Sequence, residues 1–189
     1  MHYLTVPGYT GSGPDHWQTH LENTYADFTR VVQDDWEVVD RGRWVARLDE
    51  AVRAVDGDVF LIGHSCGSVT IAQWAATRYD RRVVGALLVA PADVDAPDVM
   101  PAIAPQAPLP TSALPLPTHL VVSDDDPFLS LQRGMALGKR WGSEVEVIPG
   151  GVHFATRDGF GPWPYAAELI GRLSGAAPVP TQERVPVAQ

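Results

Sequence analysis

The chain has 189 residues, 45% hydrophobic and 20% charged, a composition suited to one globular domain long enough to bury a sizeable core. It carries 14 Lys and Arg against 23 Asp and Glu, a formal net charge of −9, which argues against nucleic acid or an anionic membrane as a partner. A single cysteine, Cys66, excludes an internal disulfide framework and a cysteine-based metal site.

Tyr3-Leu4-Thr5-Val6 reads as a first strand, closed by the loop Pro7-Gly8-Tyr9-Thr10-Gly11-Ser12-Gly13-Pro14. Without a Gly-Lys-Ser/Thr ending or Gly-x-Gly-x-x-Gly spacing, this loop is a poor phosphate cradle. It is better suited to giving an amide to an oxyanion hole, with the Tyr9 N–H as the expected donor; the alternative is a plain tight turn. Asp15 to Tyr25 has a helical pattern, with Trp17, Leu21 and Tyr25 on one face. His16 and His20 are four apart, but no glutamate of a His-Glu-x-x-His motif lies between them and no third ligand is apparent, so no metal site is expected. Phe28 to Val32 is a predicted strand. Trp44, Leu48, Val52 and Val55 mark a helix ending near Gly57, which is placed as a C-cap.

The apolar run Val59-Phe60-Leu61-Ile62 leads into Gly63-His64-Ser65-Cys66-Gly67 and then a helix-forming segment to Ala76. A Gly-x-Ser-x-Gly between strand and helix lifts the serine onto a sharp turn over a helix N-terminus. Side chains at Gly63 and Gly67 would collide as the chain doubles back. Val83 to Ala90 is an unbroken apolar strand, and such strands separated by helices predict a parallel sheet covered on both faces. Pro91 to Pro117 is too proline-rich for a central element and is expected to be either a surface excursion or a loop over the site. His119 to Ser123 is the next strand, followed by Asp124-Asp125-Asp126-Pro127-Phe128 and a helix over Leu129 to Trp141. Glu144 to Ile148 alternates like a strand nearer an edge and runs into Pro149-Gly150-Gly151-Val152-His153-Phe154. A last helix spans Pro164 to Leu173. There is no internal repeat and no second domain. One domain over residues 1–175 is expected, with a flexible Pro/Ala-rich tail over 176–189.

A serine hydroxyl needs an imidazole to take its proton and a carboxylate to orient that imidazole. Asp126 and His153 follow Ser65 in the order Ser…Asp…His, each just past a predicted strand, and parallel strands bring their C-terminal ends to one edge. Asp126 is the expected acid and Asp125 the runner-up, their alternative being a solvated acidic turn. Cys66 is placed facing the helix, so its backbone N–H, as a second oxyanion donor, is its expected contribution.

Together these pieces resemble the small single-domain α/β-hydrolases that include retinoblastoma-binding protein 9 and the bacterial YdeN-like proteins. The matching residues are Pro7-Gly8 with Gly11-Ser12-Gly13, His16-Trp17-Gln18, Asp35-Trp36 with Trp44, and Gly63-His64-Ser65-Cys66-Gly67. Ser123-x-x-Asp126-Pro127-Phe128, Gly151-x-His153-Phe154 and Gly159-Phe160-Gly161-Pro162-Trp163-Pro164 complete the set. The resemblance implies an α/β-hydrolase fold: a three-layer sandwich of about six mostly parallel strands, helices on both faces, and no large cap domain. It also implies a Ser65–Asp126–His153 triad acting on esters or amides, and it strengthens Asp126, whose family counterpart directly precedes the proline. Val152 departs from the glycine many members carry beside the histidine. The mammalian relative's Leu-x-Cys-x-Glu motif is missing, so its pocket-protein binding does not carry over.

The resulting expectation is a cytoplasmic serine hydrolase with a small-molecule substrate, no cofactor and no metal. Tyr9 and Cys66 would supply the oxyanion amides, and Trp163 and the Pro91–Pro117 segment would shape the pocket. The rival from another class is a non-catalytic or regulatory binding protein on the same scaffold. A transferase or haloperoxidase-like activity of the same triad is the rival within the class.

Overall fold

In the computed structural model, which describes residues 1–181, six strands form one sheet in the order β2-β1-β3-β4-β5-β6, and every neighbouring pair is parallel. The strands are β1 (His2–Val6), β2 (Phe28–Arg30), β3 (Val59–His64), β4 (Val83–Val89), β5 (Thr118–Val122) and β6 (Glu144–Val147). Between and after them lie α1 (Trp17–Thr24), α2 (Arg41–Ala54), α3 (Cys66–Thr77), α4 (Leu131–Trp141) and α5 (Pro164–Ser174). The α/β-hydrolase architecture expected from the sequence is the one observed, with β6 at an edge as its alternation predicted.

Successive strand residues point to opposite faces, so a sheet covered on both sides needs apolar residues at every position. Leu4, Leu61 and Leu88 belong to the core shared with Trp44, Val69 and Leu137 of α2, α3 and α4. Their neighbours Tyr3, Phe60, Ile62 and Leu87 belong to the opposite core, against Trp17 and Leu21 of α1 and Leu169 and Ile170 of α5.

Element ends differ from the sequence reading where a side chain caps them. The first helix begins at Trp17 because His16 takes extended dihedrals and its Nδ1 accepts the Gln18 amide, 3.2 Å away. Asp40 caps α2 through the Arg43 amide, and Ser130 caps α4 through the Arg133 amide. The second helix ends at Ala54 with Val55 extended, so Gly57 (φ 81°) turns the chain toward β3 and is not a C-cap. Strand β2 stops at Arg30, short of the exposed Val32.

The segment from Pro91 to Pro117 is irregular except for a 3-10 turn at Ala104–Gln106. It is fastened to the body by buried Leu109, Leu114 and Leu116, and by the Trp141 indole N–H donating to the Pro110 carbonyl at 2.9 Å. The proline-rich stretch beyond Gly175 returns to the domain over its described residues. Ala26 N–H donates to the Val179 carbonyl, and Thr181 N–H to the Thr24 carbonyl, both at 2.8 Å. The rest of the expected flexible tail, residues 182–189, lies outside the described residues. Among the described residues no helix is long and apolar enough to cross a membrane.

Candidate active site

Ser65 sits between the last residue of β3 and the first of α3 with φ 54° and ψ −123°, a left-handed conformation that costs a non-glycine residue of order 1–3 kcal/mol. The neighbours that permit this turn are glycines for steric reasons. A Cβ on Gly67 would lie 1.8 Å from the Val6 carbonyl oxygen, and one on Gly63 would lie 2.6 Å from Ser68 Cα. The loops after β1, β5 and β6 leave the same edge of the sheet and carry Tyr9, Asp126 and His153 to the serine.

Ser65 Oγ lies 2.9 Å from His153 Nε2, and His153 Nδ1 lies 2.9 and 3.0 Å from the two Asp126 carboxylate oxygens. Both partners are nearly sealed, with side-chain exposures of 8% for His153 and 1% for Asp126. At that burial a carboxylate–imidazole pair is not weakened by bulk solvent. The three adjacent aspartates divide the loop after β6 between them. Asp124 Oδ1 accepts the Gly150 amide at 2.9 Å, Asp125 Oδ1 accepts the Val152 amide at 2.8 Å, and only Asp126 reaches the imidazole.

His153 is held between two residues with positive φ, Val152 (47°) and Phe154 (54°). Two groups that sequence reasoning did not single out hold this loop. Asp158 Oδ2 accepts the His153 and Ala155 amides at 3.2 and 3.0 Å. The His64 Nε2–H donates to the His153 carbonyl at 2.8 Å. Burial, then the neighbouring His153 and His16, pushes the His64 pKa well below its ordinary value, so the ring is a neutral donor.

His16 belongs to this site and not to a metal pair. Its ring lies 4.8 Å from that of His64 and tilted 53° to it, in the wall of the cavity beside Ser65, whereas His20 lies by Gly161. Burial first, then the charge of Arg30, lowers the His16 pKa to about 4. The only sequence signal was the His16-Trp17-Gln18 motif, which gave no hint of where the ring would point. Among the described residues no group of three His, Cys, Asp or Glu side chains is arranged to hold a metal ion.

The Cys66 side chain is fully buried and its thiol is pushed up to about 12 by that burial. A thiol so protonated and enclosed is a poor nucleophile. Tyr9 and Cys66 line the cavity, and neither backbone N–H has a backbone carbonyl partner among the described residues. The cavity, about 300 Å³, is walled by Met100 and Ile103 from the Pro91–Pro117 segment, which therefore borders the site. Phe128 and Arg157 form another part of its wall. Trp163, expected to shape the pocket, is outside it. Its ring packs against Trp17 and Phe154, both 5.4 Å away, and Phe160, in an aromatic cluster bordering the His153 loop.

A family model described as serine hydrolase matches residues 3–172. No curated protein matches the chain. Among solved structures, a YdeN-like hydrolase from Pectobacterium atrosepticum is 28% identical with a TM-score of 0.83, over 92% of this chain and 90% of that one. The ydeN gene product of B. subtilis is 16% identical with a TM-score of 0.74, over 92% and 98%. The type II thioesterase BorB of a borrelidin biosynthetic cluster shares the fold at 16% identity and a TM-score of 0.64, over 94% and 92%.

Proposed function

The chain belongs to the serine hydrolase family, and on that premise we propose that it cleaves a small ester or amide through an acyl-enzyme formed on Ser65. The observation that carries this reading is the unbroken relay from Ser65 Oγ to His153 Nε2 and from His153 Nδ1 to Asp126. Ser65 Oγ attacks the substrate carbonyl while His153 Nε2 takes its proton. The carbonyl oxygen gains the negative charge and is met by the Tyr9 and Cys66 amides. As the tetrahedral centre collapses, His153 returns the proton to the departing oxygen or nitrogen. Water then repeats the sequence on the acyl-enzyme and frees Ser65. Asp126 keeps the His153 proton on Nδ1 and stabilises the imidazolium formed in each half. The two amides are suited to the oxyanion role because neither is used by a backbone carbonyl. The cavity volume suits a small acyl group, and no step calls for a cofactor.

Labelling with a fluorophosphonate tests this reading. Wild type and Cys66→Ala should label, and Ser65→Ala should not. A folded wild type that fails to label would overturn the catalytic reading and leave a binding protein on a hydrolase scaffold.

A further inference from the structure

The cavity beside Ser65 is bordered by glycines, apolar side chains, a tyrosine, a threonine, a cysteine and three histidines, and by one side chain of fixed charge, Arg157. Burial keeps two of those histidines, His16 and His64, neutral. In a chain of net charge −9, a lone cation at the site is a local exception to the global field.

Arg157 is also only loosely held. Its side chain is 67% exposed, and its guanidinium donates no hydrogen bond among the described residues. Its one ion-pair contact among the described residues is to Asp158, whose Oδ1 is 3.7 Å from Arg157 Nε while Oδ2 accepts the His153 and Ala155 amides. An aromatic face also borders the guanidinium: its Cζ stands 5.8 Å from the centre of the Phe128 ring. That ring in turn meets the His153 imidazole edge-on, with centroids 4.7 Å apart. A guanidinium held only by such longer contacts keeps its terminal donors free for a carboxylate or phosphate.

The position indicates which half of the substrate is read. His153 hands its proton to the departing atom, so the side chains packed on His153 border the leaving group's path. The apolar Ala92, Met100 and Ile103 are left to receive the acyl chain. We propose that Arg157, set on Phe128 beside His153, selects substrates whose leaving group carries an anion, a carboxylate or a phosphate, at its far end, joined to a short uncharged acyl group. This rests on the acyl-enzyme reading above.

Four aryl esters test it on the full chain. Three are butyrates, whose phenol is unsubstituted or bears a para carboxylate or a para phosphate; the fourth is the phenyl monoester of succinate, with the anion on the acyl side. In wild type, kcat/KM for at least one leaving-group anion should exceed that for phenyl butyrate about tenfold, and the better of the two identifies carboxylate or phosphate as the preferred group. Arg157→Gln should abolish that ratio, Arg157→Lys should restore part of it, and added salt should shrink it, because an exposed charge is screened. A ratio near one in wild type, a ratio unchanged in Arg157→Gln, or a preference for the succinate monoester would overturn the assignment. Fluorophosphonate labelling of Ser65 is run alongside. Labelling without an anion preference overturns the Arg157 assignment alone, while neither labelling nor turnover in wild type overturns both readings.

Discussion

Asp125 and Asp126 are adjacent and carry the same charge, yet only Asp126 reaches the His153 imidazole, while Asp125 holds the loop at the Val152 amide. Asp126→Asn should therefore lower kcat by about 10⁴-fold, because an amide cannot hold the tautomer that keeps Nε2 free to accept. Asp125→Asn should cost about tenfold or less, since it slackens the loop and leaves the relay intact. Steady-state kinetics on one ester with both variants checks the pair. What separated the three consecutive aspartates in the sequence was the turn into the helix that Pro127-Phe128-Leu129 predicts after Asp126, and the resemblance to a family with an aspartate before proline strengthened that preference. His16 leads to a prediction in pH. Its folded pKa, about 4, is below the ordinary value of 6.5, so between those values the unfolded chain takes up a proton that the folded chain refuses. Stability is present above pH 6.5 and falls as pH drops toward 4. His16→Asn keeps a capping acceptor for Gln18 and removes the titration. In urea unfolding at pH 7 and pH 4.5, the loss of stability between the two should be smaller in the variant by about 2 kcal/mol. The buried His64 contributes in the same direction in both proteins, and somewhat less in the variant, because His16 is one of the neighbours that lower its pKa.

At the scale of elements, what was legible followed from local rules. Val59–His64 and Val83–Val89 read as strands because both faces of the sheet are covered, and the serine turn read as a turn because Gly63 and Gly67 leave no room for a Cβ. The Pro91–Pro117 segment was legible only as non-sheet, since its path is set by partners far away in the chain. Gln106, fully buried, donates through Nε2 to the Cys66 carbonyl at 2.8 Å and to Thr70 Oγ1 at 2.9 Å, in the first turns of α3. Gln73 of α3 answers by donating to the Gln106 and Pro108 carbonyls. No periodicity announces such a clamp between positions 40 residues apart. Gln106→Leu would lose both Nε2 hydrogen bonds but also remove an Oε1 that is buried without a partner. The net cost should be about 1–2 kcal/mol in urea unfolding. Because the clamped segment carries Met100 and Ile103 into the cavity wall, KM should rise more than kcat falls. A variant with unaltered KM would mean that the wall is held by its buried leucines alone.

Across the whole molecule the parallel sheet separates two edges. All six strands point the same way, so the loops bearing Tyr9, Ser65, Asp126 and His153 gather at their C-terminal ends. The chain beyond Gly175 fastens to the other edge. Its partners are Thr24, Ala26 and Asp27, just before β2, and the Tyr3 hydroxyl near the start of β1, which donates to the Ala176 carbonyl. A proline-rich ending suggested fraying, and what the sequence could not disclose is that its backbone finds partners in the turn before β2. Two truncations isolate their effect: a chain ending at Thr181 keeps these hydrogen bonds, and one ending at Gly175 loses them. The shorter chain gives up about four hydrogen bonds, of about 0.5–1.5 kcal/mol each, so it should unfold at a lower urea concentration. With the site on the opposite edge, kcat/KM should be equal in the two chains at temperatures where both are folded. Urea unfolding should show one transition in each, displaced in midpoint, as one domain requires. If kcat/KM falls together with the midpoint, the two edges are coupled through the sheet, and stability and catalysis do not divide along its strands.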